Sequence, residues 1–163
     1  MKALQHLRAL SIEQQAKRYP NVPSYALTSK KYTDKTANGL TCCIIDFLRY
    51  TGCQAERINN TGRMIDERKI VTNVIGTYKT VGSVKWVYGT GTRGTADISA
   101  TINGKSVKIE VKIGRDIQSE HQKQYQRSIE QSGGLYFIAK DFQHFIDWYC
   151  LQFKITEPYK LKT

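Results

Sequence analysis

Between Ala96 and Ile113, hydrophobic and polar residues alternate with a period of two. Ala96, Ile98, Ala100 and Ile102 alternate with Asp97, Ser99 and Thr101, and Val107, Ile109, Val111 and Ile113 alternate with Lys108, Glu110 and Lys112. Successive side chains of a strand point to opposite faces, so each run predicts a strand with one apolar and one polar face. Asn103-Gly104 lies between the runs and is a strong signal for a tight hairpin turn. Pairing through that turn places residues whose numbers sum to 207 opposite each other. Asp97 then falls opposite Glu110. Two carboxylates facing each other across a sheet repel, and a cation between them would relieve the repulsion.

The rest of the chain divides by the same reasoning. Residues 1–18 predict a short helix with Leu4, Leu7 and Leu10 or Ile12 on one side, ended by Pro20 and Pro23. Residues 19–37 are polar, basic and rich in turn formers. They read as an arm or packed extension that docks on the core, meets a second subunit or touches nucleic acid. Leu40, Ile44, Phe47 and Leu48 form one helical stripe over 38–50, with Asn38 as a candidate cap and Gly52 as the stop. Asp46 on that helix reads as a solvated residue paired near Arg49 or Tyr50. Gln54 to Asn59 predicts a strand.

Residues 60–95 are too long for a structureless loop in a compact domain. Val71–Ile75 and Val81–Tyr88 in this stretch predict an extra hairpin. Its closing loop holds Gly89, Gly91, Arg93 and Gly94, where backbone N–H groups and Arg93 can approach an anion. Trp86 and Tyr88 fit either base stacking or an ordinary core. After the central hairpin, Ser119-Glu120-His121-Gln122 is a capping box opening a helix to Gln131, with Gln122, Tyr125 and Ile129 on one stripe. Lys123 and Arg127 share a side at i and i+4, and His121 reads as a surface residue. Leu135–Ala139 is a continuous apolar run that predicts a strand buried on both faces in a parallel sheet. Asp141 caps a last helix whose apolar side is Phe142, Phe145, Ile146 and Tyr149.

Composition narrows the function classes. The chain of 163 residues suits one domain with one core. No apolar run approaches the ~20 residues a membrane helix needs, and the N-terminus lacks the apolar stretch of a secretory signal. The four cysteines, Cys42, Cys43, Cys53 and Cys150, have no zinc spacing and no C-x-x-C. Reduced thiols in a cytoplasm are therefore expected. The 25 basic and 14 acidic residues give a net charge of +11. The excess lies upstream of the hairpin: residues 1–37 carry seven basic and two acidic groups, 38–95 eight and four, and 96–163 ten and eight. A field of this sign favours phosphate-backbone partners.

An acid on one strand followed by E-x-K on the next resembles the PD-(D/E)XK nuclease superfamily. Ala96-Asp97 stands in the place of the P-D pair, and Glu110-Val111-Lys112 forms the E-x-K. More narrowly, Gly94, Asp97, Glu110-Val111-Lys112 and Gln122 resemble the virus-type replication-repair nuclease group (VRR-NUC), which includes stand-alone phage and bacterial enzymes. The resemblance runs from about Asn38 to Tyr149. It implies an α/β fold with a restriction-endonuclease-like αβββαβ core, a mixed sheet flanked by helices. Here that domain spans 38–163, with an insert at about 60–93 and a basic helical extension over 1–37.

The resemblance also implies a site. Asp97 and Glu110 would hold Mg²⁺ or Mn²⁺, with the Val111 carbonyl as a third ligand. Lys112 and Gln122 would position water or phosphate, and Arg57, matching an R-x-N step with Asn59, would contact phosphate. Arg93, Lys123 and Arg127 are further candidate DNA contacts. The expected activity is phosphodiester hydrolysis of branched or duplex DNA, with a homodimer as the expected form, in a cytoplasm (the host's, if phage-encoded). The sequence departs from the family pattern at the first helix, which carries no glutamate where a metal ligand is expected. Asn38 or Thr41 occupies roughly that place. This keeps open a non-catalytic DNA-binding module on the same fold, beside a restriction or end-processing nuclease.

Overall fold

The computed structural model describes residues 3–59, 62–72, 74–87, 89 and 91–159. It divides into two compact units, Met1–Ile58 with Gly94–Thr163, and Asn59–Arg93.

The first unit is a mixed α/β structure. In chain order it holds α1 (Ala3–Arg18), α2 (Ala37–Tyr50) and β1 (Gln54–Arg57). The second unit, carrying β2 to β5, is inserted after β1. The first then continues with β6 (Ile98–Ile102), β7 (Lys105–Val111), α3 (Glu120–Gln131), β8 (Leu135–Ala139) and α4 (Phe142–Phe153). The four strands form one sheet in the order β1-β6-β7-β8; β1, β6 and β7 are antiparallel and β8 joins β7 in parallel.

The β6–β7 register pairs Ile98 with Ile109 and Ile102 with Lys105, which is the 207 sum. The turn fixes it: Asn103 and Gly104 both have positive φ, 48° and 77°, as the twist-matched two-residue turn requires. Ala96, Ile98, Ala100, Ile102, Val107, Ile109 and Val111 are all buried. Transfer of each larger aliphatic side chain from water contributes about 1.5–3 kcal/mol.

Helices cover both faces of this sheet. Phe137 of β8 stacks on Trp148 of α4, with ring centroids 4.3 Å apart, whereas its neighbour Tyr136 meets Tyr125 of α3. Adjacent strand residues point opposite ways, so α4 and α3 lie on opposite faces. Phe47 of α2 is wholly buried and sits edge-on to Phe142, Phe145 and Tyr149 of α4. Leu7 and Leu10 place α1 in the same core, and the helix stops at Arg18, two residues before Pro20. The segment that follows is strapped to this unit. The Tyr32 hydroxyl and Lys30 Nζ donate to Asp46, Arg8 donates to the Tyr32 carbonyl, and the Phe142 N–H donates to Asp34.

Several local expectations change. The cap of α2 is Thr36, whose hydroxyl accepts from the Gly39 N–H, rather than Asn38. Asp46 is bound by Lys30 and Tyr32 instead of lying solvated near Arg49. β8 is an edge strand, so Leu135 to Ile138 are half-buried rather than buried on both faces. The strand over 54–59 ends at Arg57.

The second unit holds β2 (Arg63–Asp66), β3 (Lys69–Thr72), β4 (Tyr78–Val81) and β5 (Val84–Val87). β3 pairs with β4 and β2 with β5, both antiparallel. Arg63 opposite Val87 and Lys69 opposite Val81 share one register sum, so the two ladders are successive parts of a single long ribbon. The Glu67 N–H donates to the Ser83 carbonyl between them. Tyr88 and Thr90 of the predicted strand and closing loop lie outside the described residues, as does the tail beyond Tyr159. Among the described residues, no helix is long and apolar enough to cross a membrane.

Candidate active site

Asp97 is the residue just before β6, and Glu110 is the second-last residue of β7. The register that buries Ile98 and Ile109 on one face sends both carboxylates to the other. Asp97 is held from two sides. Its carbonyl accepts from the Ile58 N–H at 2.8 Å, and its Oδ2 accepts from the Val111 N–H at 2.9 Å. In an antiparallel ladder a residue turns its N–H and C=O to the same neighbour. The Val111 carbonyl therefore leaves the strand on the Asp97 side.

Glu110 is only 3% exposed. Its Oε1 accepts from Gln122 Nε2 and lies 3.2 Å from Lys112 Nζ, whereas its Oε2 is buried with no hydrogen-bond partner. Burial, and then the nearby Asp97 charge, push the carboxyl up to about 7, against the pull of Lys112. Burial draws the Lys112 ammonium down, but Glu110 and then Asp116, whose Oδ2 is 3.3 Å away, outweigh this and leave it above its ordinary value.

Gln122 carries two roles at once. Its Oε1 accepts from the Ser119 N–H while the Ser119 hydroxyl accepts from its own N–H, completing the capping box. The cap fixes which end of the amide is oxygen, so Nε2 is the end that reaches Glu110. Capping and site contact are thus one arrangement rather than competing explanations of this residue.

Gly94 places α3 over the carboxylates. Its φ is +78°, and a Cβ there would stand 2.4 Å from the His121 carbonyl carbon and oxygen and 2.7 Å from the Gln122 nitrogen. Only glycine lets the segment leading to Asp97 run this close to the first turn of α3.

The other predicted contacts are distributed more widely. Arg57 donates to Asn38 at the start of α2. Lys123 pairs with Glu120 at 2.7 Å on the exposed side of α3, where Arg127 is also exposed. Arg93 is exposed and closes the second unit. Two contributors escaped the sequence reading: Asp116, and Tyr136 of β8. The Tyr136 hydroxyl is enclosed beside Gln118 without a well-formed hydrogen bond; burial, and then Glu110, raise its pKa. The alternation of Leu135–Ala139 places Tyr136 and Ile138 on one face, but that face could be matched to Glu110 only through the β7–β8 register.

Among the described residues, no group of three or more His, Cys, Asp or Glu side chains converges as a metal cage. Two carboxylates and a main-chain carbonyl suit Mg²⁺, which keeps several waters and binds through one or two carboxylates plus substrate phosphate. The buried, unpartnered Glu110 Oε2 is the atom a cation would satisfy. No protein-family model matches the chain, and no curated protein matches it.

Proposed function

We propose that this chain is a Mg²⁺- or Mn²⁺-dependent DNA endonuclease on a restriction-endonuclease-like core, acting on branched DNA. The observation that carries this reading is the opposition of Asp97 and Glu110, with a buried oxygen of Glu110 lacking a partner and Lys112 two residues on. Asp97, Glu110 and the Val111 carbonyl would hold the cation. A divalent cation there would supply Lewis-acid polarisation of the scissile phosphate.

The chain's own groups do the rest. The Val111 N–H orients Asp97, and Gln122, itself locked by the cap, orients Glu110. Lys112, only 10% exposed and held by two carboxylates, keeps its positive charge and presents it to the phosphate as negative charge grows on the transferring oxygens. Arg57, Lys123 and Arg127 supply backbone contacts in this reading, and so does Arg93.

A second reading follows from the first turn of α2. Where the family pattern expects a glutamate, Asn38 or Thr41 stands, and Asn38 is engaged by Arg57. This favours a DNA-binding module without catalysis.

Cleavage of labelled DNA decides between them. A four-way junction, a splayed arm, a duplex and a single strand are incubated with Mg²⁺, Mn²⁺ or EDTA. Metal-dependent nicks near the junction centre are expected, and Lys112→Ala should lower the rate by about 10²–10³ with folding and DNA binding retained. Full activity in that variant would remove the proposed site. Salt-sensitive binding without cleavage by the natural chain would favour the module.

A further inference from the structure

The second unit is a ribbon without a core. None of its described residues is buried, and its large apolar side chains face outward: Ile70 is 73% exposed, Tyr78 78%, Val74 106% and Ile75 89%. An isolated two-stranded hairpin is marginal in water. A ribbon that spends this much apolar surface on solvent is built to meet something.

Its charges say what. Residues 59–93 carry six basic groups (Arg63, Arg68, Lys69, Lys79, Lys85, Arg93) and two acidic ones. Both acids are neutralised within the ribbon, Asp66 by Arg68 at 2.7 Å and Glu67 by Lys85 at 2.7 Å. Arg63, Lys69, Lys79 and Arg93 make no ion pair among the described residues, so four positive charges stay uncompensated. The period of two puts Arg63, Lys69, Lys79 and Lys85 on one face, each opposite an apolar partner (Val87, Val81, Val71 and Ile65), whereas Ile70 and Tyr78 lie on the other face, which carries no basic residue of these strands. Ten residues separate Arg63 from Thr72 inclusive, roughly 33 Å when extended, about one turn of B-DNA. A two-stranded ribbon is also narrow enough for a major groove about 12 Å wide. At the far end, Gly76 (φ +80°) turns the chain and leaves Val74 and Ile75 as an apolar point.

We propose that the Asn59–Arg93 ribbon is a DNA-gripping arm: its lysine and arginine face runs along groove phosphates, and its Val74–Ile75 tip wedges between bases. Apolar wedges of this kind unstack and kink a duplex at modest cost, least where stacking is already broken. A branch point is such a place. The proposal takes from the nuclease reading the choice of branched DNA as ligand.

The test uses the full chain in EDTA, so that binding is read apart from cleavage. Anisotropy of a labelled four-way junction is followed from 50 to 200 mM salt. Replacing Lys69→Gln and Lys79→Gln together should lower the slope of log affinity against log salt by about 0.9 per lysine, with a weakening of about tenfold at low salt. Val74→Ser with Ile75→Ser should keep the slope but remove the fluorescence rise of 2-aminopurine placed at the branch point.

An unchanged slope in a lysine variant with native far-UV circular dichroism would overturn the arm. An unchanged 2-aminopurine signal in the tip variant would overturn the wedge. Failure of the natural chain to bind DNA would overturn the proposal as a whole. So would a concentration-dependent dimer that Ile70→Ser with Tyr78→Ser dissociates while the lysine variant binds DNA normally, since the occupant would then be a second copy. Ribbon-dependent binding without metal-dependent cleavage would leave the arm standing and remove the nuclease reading.

Discussion

The four-stranded sheet and the Asn59–Arg93 ribbon are made of similar residues, and the difference between them is cover. In the sheet, Ile98, Ile102 and Ile109 are fully buried. In the ribbon, Ile70, Val71 and Val81 are 73, 50 and 51% exposed, and the adjacent Ile70 and Val71 point to opposite faces. The sheet has helices of its own unit on both faces; among its described residues, the Asn59–Arg93 unit contains no helix. Apolar strand residues therefore do not by themselves define a core. A second layer does, because burial needs a partner surface.

Truncating one large side chain in each region should separate the two most widely. Phe47→Ala removes a wholly buried ring that meets Phe142, Phe145, Tyr149 and Tyr159. Urea denaturation should show a loss of about 3–5 kcal/mol. Ile70→Ala in the ribbon should stay within about 0.5 kcal/mol. A loss at Ile70 approaching that at Phe47 would mean the ribbon is covered in solution, and the contrast would fail.

A smaller effect is expected where the chain passes from ribbon to sheet. Gly94→Ala forces a Cβ against the His121 carbonyl and an alanine into φ +78°. About 1–3 kcal/mol of stability should be lost. Cleavage should fall by more than that loss of folded protein explains, because the first turn of α3 carries Gln122 onto Glu110. Native stability and full cleavage in this variant would show that the close approach is not what positions the site.

How much of this was legible in the sequence depended on whether local chemistry fixes geometry. Asn103-Gly104 sets the β6–β7 register by itself, so the opposition of Asp97 and Glu110 could be read directly. The Ser119–Gln122 box and the Asp141 cap are equally local, and both form. Tyr136 was not legible. It reaches the site through the parallel β7–β8 pairing, which pairs Lys108 with Tyr136 across an intervening helix, and no turn chemistry sets a register over that distance. Asp46 was misassigned for a related reason, because its partners come from a strap 14 and 16 residues earlier. The burial of Glu110 was hidden too. Alternation marked its face as polar, and only the docking of α3 shows that this face is covered.

That covered carboxyl yields the smallest and most specific effect. Unfolded, Glu110 titrates near its ordinary 4.5; folded, it is pushed up to about 7. A carboxyl with a raised folded value binds its proton more tightly in the native state, so its contribution is fully present below pH 4.5 and is lost as pH rises through 7. In EDTA, thermal stability of the natural chain should therefore decline across that window. Glu110→Gln should flatten the decline and gain on the order of 1 kcal/mol at pH 8, about 2–4 °C for a chain of this size. If Mg²⁺ binds at Glu110 as proposed, adding it should reverse the ranking, because a cation that binds only the folded natural chain stabilises it, while the amide offers no charge to hold one. Melting curves at pH 5 and pH 8, with and without Mg²⁺, resolve all four conditions. If Mg²⁺ raised the melting temperature of Glu110→Gln as much as that of the natural chain, the cation would be bound elsewhere, and the unpartnered oxygen on Glu110 would need another explanation.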